Sequence, residues 1–253
     1  MFGRCSFPLA LLLSLLGIAP AAAQPSSTQR VFLAVNGGIQ TATSDFADNI
    51  TFGDPSFGPE HADFDARYAT DRDRAIDVSG GVQVWRMLAV GGGVTQFTHA
   101  DEAAITARLP HPFHFGQHRT INGSGTDLAR KETAVHLQAM AVLPVAEGRS
   151  TVSLFAGPTF FTVDQDLVSA IRFEQTFPYD DARFVAANHR RRSSSATGFH
   201  AGADVAFYFI DRIGVGGTVR FSQGSADLAS EDGGTVAIKT GGVHATGGLR
   251  IRF

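Results

Sequence analysis

Eight stretches of the chain alternate apolar and polar side chains residue by residue, and on their apolar faces no Asp, Glu, Lys or Arg occurs. They read VFLAVNGGIQ, AIDVSGGVQVW, LAVGGGVTQF, TAVHLQAMAVL, TVSLFAGPTFF, GFHAGADVAFYF, IGVGGTVRF and VHATGGLRIRF. A period of two is the repeat of a β-strand lying between two environments. In the last run Val243, Ala245, Leu249, Ile251 and Phe253 oppose His244, Thr246, Arg250 and Arg252. Each run has the roughly 9–11 residues that a tilted strand needs to cross a bilayer. Eight such strands close a barrel just wide enough for side chains to fill, and closure leaves no unpaired edge in lipid.

Alternation does not by itself say which face is outside. Asp77, Asp204, Arg220, Arg250 and Arg252 all fall on the polar face. An Arg or Lys facing lipid at midplane costs roughly 2–4 kcal/mol, so a charge-free face suits lipid. With the faces reversed, a soluble barrel would expose Gly, Ala and Ser outside, where Lys and Glu are the usual residues. The expected fold is therefore all-β: an eight-stranded antiparallel up-and-down transmembrane barrel. The apolar face carries Phe160, Phe199 and Phe221 near one end and Phe207, Phe209 and Phe253 near the other, as two aromatic girdles would. Trp85 falls on the other parity.

The first residues, MFGRCSFPLALLLSLLGIAPAAAQ, hold a basic residue, a short apolar stretch and an A-x-A site. This is the pattern of a signal peptide over 1–23, too short for a spanning helix, and it leaves 24–253 as one barrel domain. Its removal takes Cys5, the only cysteine, and Arg4, leaving 20 basic against 24 acidic residues. The mature chain has no disulfide, and its acidic balance gives no basic field for nucleic acid.

Connections alternate between short and long. WRML, PVAEGR and FIDR are tight, whereas 43–74, 99–132, 164–196 and 223–239 are long. All four long connections then lie at one end, the asymmetry of barrels with short periplasmic turns and long extracellular loops. A chain with these runs, these loops and a closing LRIRF resembles the small outer-membrane barrels of the outer-membrane protein A and W types. The resemblance implies a place in the outer membrane of a Gram-negative-type bacterium, in contact with its lipid and lipopolysaccharide. It implies that Leu249, Ile251 and Phe253 form the signal read by the barrel-assembly machinery. No further domain is expected after Phe253, so the peptidoglycan-anchoring module of the A type is not expected.

The candidate chemistry is modest. His111, His114 and His118 cluster in HPFHFGQH, but two prolines and no evident fourth ligand argue against a metal. His136, His200 and His244 share the polar face with Asp204 and Ser79. Their heights fit an acyl-transfer triad poorly, so catalytic, cofactor and metal residues are all expected to be none. The natural reading is a lumen network in which Asp77 and Asp204 pair with Arg220, Arg250 and Arg252, beside His136, His200 and His244. Arg190–Arg192 is a basic cluster that reads as a solvated loop tip, with lipopolysaccharide phosphate as its other candidate contact.

The expected protein is a monomeric, non-enzymatic, structural or surface-interaction barrel with a narrow polar lumen. A narrow channel for small or hydrophobic molecules, as the W type implies, is the alternative. A soluble lipocalin-like periplasmic binder is a third.

Overall fold

The computed structural model describes residues 30–41, 45–69, 72–145 and 149–253. The expected signal peptide, 1–23, lies outside them. Ten strands follow: β1 Val31–Gln40, β2 Phe46–Phe52, β3 Ala62–Ala69, β4 Asp73–Trp85, β5 Leu88–Pro110, β6 His118–Val145, β7 Ser150–Gln175, β8 Ala182–Ile210, β9 Ile213–Ala229 and β10 Thr235–Arg252. Among the described residues no helix is long and apolar enough to cross a membrane, which is no bar to crossing with strands.

Eight strands make one antiparallel ring in the order β1, β4, β5, β6, β7, β8, β9, β10, and β10 returns to β1. The seam pairs Phe32 with Arg252 through to Gln40 with His244. Val31 N donates to Phe253 O at 3.2 Å, and Phe253 N donates to Val31 O at 2.8 Å. The outward face carries the apolar side chains of the eight runs, including Val35, Val90, Leu137, Val205, Val215, Val219 and Leu249, all well exposed.

The four long connections stand at one end and are themselves built largely of strand. β5 to β8 run 23, 28, 26 and 29 residues, far beyond the roughly 9–11 that a bilayer uses. Where β1 and β4 stop, the β2–β3 hairpin takes their place, β3 pairing with β5 from Asp63–Arg108 to Ala69–Glu102. Among the described residues no backbone hydrogen bond joins β2 to β10. A cleft of about 530 Å³ separates them, bridged by Ser230 Oγ donating to the Asp48 carboxylate at 2.8 Å. The extension is thus a second barrel storey with one open seam.

Side-chain polarity inverts between the storeys. On β5 the inward positions pass from Ala89, Gly91, Gly93 and Thr95 to Ala103, Ile105, Ala107 and Leu109. In the extension these pack with Phe64, Tyr68, Leu167, Leu228 and Ile238 as a buried apolar core, while Thr106 and Arg108 face water. Bulges adjust the parity. Asp127 (φ 59°) lies at the register shift opposite Asp101–Ala103, so the buried side of β6 changes from Leu128 to Ile121. At the shift between Val168 and Ala170, Val168 N donates to Tyr68 Oη at 2.7 Å, so a group freed by the bulge is satisfied. A third shift, between Gln83 and Trp85, pairs Trp85 with Leu88 on the lipid side; this explains how a residue of lumen parity is exposed.

A buried polar belt separates the apolar core from the lumen. Arg130 Nε donates to Glu132 Oε1 at 2.9 Å, and Glu132 Oε2 accepts from Gly241 N at 3.0 Å. Gly241 (φ 90°) and Gly242 (φ 133°) take backbone conformations here that L side chains rarely adopt. Asp101 is fully buried, accepts from Gln165 Nε2 at 3.0 Å, and has its other oxygen 3.6 Å from His99 Nε2. Burial raises the Asp101 carboxyl above its ordinary value, whereas the half-exposed Asp73 is lowered by its hydrogen bond with His99.

Two predictions follow from these storeys. Val205 and Val185 both face outward on β8, the first in the lipid band and the second in the extension. Val205→Arg should cost about 2–4 kcal/mol of unfolding free energy in lipid vesicles, and Val185→Arg should leave it unchanged; equal losses would misplace the boundary. Because Asp101 holds its proton more tightly folded than unfolded, its contribution to stability is greatest at acid pH and falls as pH rises through the folded value. Hydrogen exchange at Ala103–Leu109 should accelerate beyond the intrinsic rate as pH rises above the ordinary carboxylate value, and Asp101→Asn should flatten that excess.

Candidate functional site

Within the membrane ring, the inward positions of neighbouring strands build one continuous network. Asp77 on β4 accepts from Arg220 Nη1 at 2.6 Å, Thr95 Oγ1 at 2.8 Å and Asn36 Nδ2 at 3.0 Å. Arg220 and Asp77 are both almost wholly buried, and the guanidinium also lies 5.4 Å from the Phe155 ring centre. A buried pair of this kind holds only when its remaining hydrogen-bonding capacity is met, which the Thr and Asn partners largely do.

The Thr95 hydroxyl gives its proton to Asp77, so at 3.0 Å it accepts from His136 Nε2. His136 Nδ1 then accepts from Thr159, whose oxygen takes the Nδ1 proton of His200, each at 2.9 Å. This proton order is assigned from the partners, one per hydroxyl. The rings of His136 and His200 meet edge to face, 4.7 Å apart. His244 Nε2 is 2.9 Å from Ser222 Oγ. Nearer the turns, Arg250 pairs with Asp204 and donates to Asn36 Oδ1 at 2.5 Å and Thr218 Oγ1 at 3.0 Å.

The eight residues expected in the lumen therefore fall at different heights. Asp77, Arg220, His136 and His200 form the central layer, and Asp204 and Arg250 a second one. His244 sits with Ser222. Arg252 stands at the turn-side mouth, its guanidinium 3.9 Å over the Tyr208 ring and its Nε donating to Asp211 O. Thr95, Thr159 and Asn36 complete the network and carry no signal of their own, because Thr and Asn on a strand's polar face are unremarkable until a partner is known. Ser79 Oγ donates to Asp77 Oδ1 at 3.4 Å.

Two lumen glycines are required by packing. A Cβ on Gly202 would come within 2.6 Å of the Phe155 ring, and one on Gly216 within 2.9 Å of Arg250 Nε. On the lipid face, Phe160, Phe199 and Phe221 stand near the extension, Phe207, Phe209 and Phe253 near the turns, all exposed to the surroundings. Leu249 and Ile251 flank Phe253 on the same outer face, across the seam from Val35 and Leu33.

At the far tip, His111 is buried, accepts from Phe113 N at 3.1 Å and lies with its ring centre 4.5 Å from that of His114, tilted by 40°, with Asp180 at 3.7 Å. His118 opens β6. Among the described residues no group of three or more His, Cys, Asp or Glu is arranged to hold a metal. The arginine cluster is paired within the protein: Arg190 and Arg192 meet Glu231 at 3.0 and 2.8 Å, and Arg191 meets Asp166 at 2.9 Å.

No family model matches the chain, and no curated protein sequence matches it. Among the solved structures that resemble it are two outer-membrane proteins. The outer membrane protein OprG from Pseudomonas aeruginosa aligns at a TM-score of 0.50 and 9% identity, over 89% of this chain and 97% of that one. The outer membrane protease OmpT from Escherichia coli aligns at 0.49 and 8%, over 91% and 99%. The expectation of a non-enzymatic protein is withdrawn, since a protease stands among the similar structures. At such identities the likeness speaks for the architecture alone, and the architecture is that of the small eight-stranded outer-membrane barrels.

Proposed function

We propose that the protein resides in the outer membrane of a Gram-negative-type bacterium as a monomeric barrel with a closed lumen, and that it serves a structural or surface-interaction role. The observation that carries this reading is the filling of the interior from the middle of the membrane upward. The Asp77–Arg220–Thr95–His136–Thr159–His200 chain spans the ring, the Arg130–Glu132 belt lies above it, and the apolar core occupies the extension. A path for solute would have to break buried, satisfied hydrogen bonds, each broken one leaving a costly buried polar group. The extension instead offers a surface. Its tips carry Phe113, Phe115 and Phe177 in water, 67%, 82% and 79% exposed, and exposed aromatic side chains grouped in this way mark contact sites.

Contact with lipopolysaccharide fits Lys131 and Lys239 better than the paired arginine cluster. Both stand on the outer side of their strands, next above the lipid band, where phosphates of the outer leaflet lie. The barrel-assembly machinery would meet Leu249, Ile251 and Phe253 on the outer face beside the seam.

Reconstituted in planar bilayers, the protein should give only small, intermittent currents, and liposomes containing it should not swell in small sugars or amino acids. Large, stable, ohmic pores would overturn the closed-lumen reading in favour of a channel. Phe253→Ala should slow insertion into membranes carrying the assembly machinery several-fold while changing the unfolding free energy by less than about 1 kcal/mol, because the exposed ring contributes little packing. Unchanged insertion kinetics would remove Phe253 from the assembly signal.

A further inference from the structure

The lumen is not filled to its turn-side end. Below the central layer lies a cavity of about 540 Å³, open on the periplasmic side and blind above, where Arg220 and Gln138 close it. This volume is in the range of small-molecule sites. Its walls differ in kind. Met140 and Val142 of β6 and Phe155 of β7, with Phe32 of β1 and Met87 of the β4–β5 turn, make an apolar side. Arg220 of β9 and Arg250 and Arg252 of β10 make a cationic side, with Arg86 at the mouth.

Four guanidinium groups line this cavity against one carboxylate, Asp204. Asp77 engages Arg220 from behind the floor, and Asp204 engages Arg250. Arg220 is 3% exposed, with its Nη1 on Asp77 and Thr95. Low-dielectric walls of one charge sign concentrate ions of the other, and a planar guanidinium matches a carboxylate's two oxygens.

We propose that this vestibule is a binding site, entered from the periplasm, for a small amphiphilic carboxylate whose head meets the β9–β10 arginines and whose apolar body lies on Met140, Val142 and Phe155. The site is independent of any partner for the extracellular tips. It shares with the closed-lumen reading only the blind floor, so a conducting barrel and a failure to bind are separate results.

The test uses the folded barrel in nanodiscs of uncharged phosphatidylcholine, titrated calorimetrically with octanoate, octanamide and acetate against empty discs. Octanoate should bind saturably, one per barrel. Octanamide, which lacks the charge, and acetate, which lacks the body, should each bind at least about tenfold more weakly, the size of one lost charge-assisted contact or of a few lost methylenes. Val142→Trp, which fills the apolar side, should abolish octanoate binding, and Arg252→Gln should weaken it about tenfold. A heat-dependent gel shift shows that each variant has folded; for any that has not, the three-ligand comparison on the wild-type barrel decides alone. Equal affinity for octanoate and octanamide, binding unaltered in both folded variants, or no saturable uptake above empty discs would overturn the proposal.

Discussion

Backbone hydrogen bonding in a solvent that cannot supply it governs this molecule. In lipid every N–H and C=O must find a partner within the protein, so the ring must close. β1 meets that demand on both edges, with β10 on one side and β4 on the other. Once the wall is closed, the side chains have only two directions. Those pointing out must be apolar, and those pointing in must satisfy one another in a space too narrow for bulk water. The hydrogen-bonded Thr, His, Asp and Arg layers answer the second demand, and the charge-free outer face answers the first.

Outside the lipid the same strands obey the opposite rule. Their inward positions become Ala, Ile, Leu, Phe and Tyr and their outward positions become polar, while the ladders between β5 and β10 continue with shifts of register at the bulges. The molecule is best understood as one wall passing through two solvents, with the bulge at Asp127 resetting which positions of β6 face in. The belt of Arg130, Glu132 and Asp101 marks the level at which one regime gives way to the other. A buried carboxyl with a raised proton affinity at that level follows from its place, since it lies beyond the lumen's arginines and is not open to water.

The membrane storey was legible in the sequence because lipid imposes a sharp rule: strict alternation with no charge on one face. The short turns and the closing strand followed from the same pattern. The extension was harder to read. In HADFDARYAT the inward residues are Ala62, Phe64, Ala66 and Tyr68, and the small size of two of them weakens the alternation enough to pass for a loop. Bulges break the parity without leaving a signal in composition, as Trp85 illustrates. The lumen's charged members could be named from the face they share. Their pairing depended on height along tilted strands, which set Asp77 on Arg220 and Asp204 on Arg250 but stacked Arg252 on Tyr208. The neutral linkers, above all Thr95 and Thr159, become visible only when the strands are placed beside one another.

The unjoined edges of β2 and β10 have a meaning of their own. In lipid such a gap would be untenable, but above the membrane water completes what the backbone leaves open. Architectural tolerance therefore differs between the storeys. A hairpin could be gained, lost or lengthened beside that cleft without leaving any backbone group unsatisfied in hydrocarbon, whereas the ring below cannot change its strand number by one. The extension is the part of the chain on which variation in size and shape can accumulate, while the membrane ring holds its count fixed.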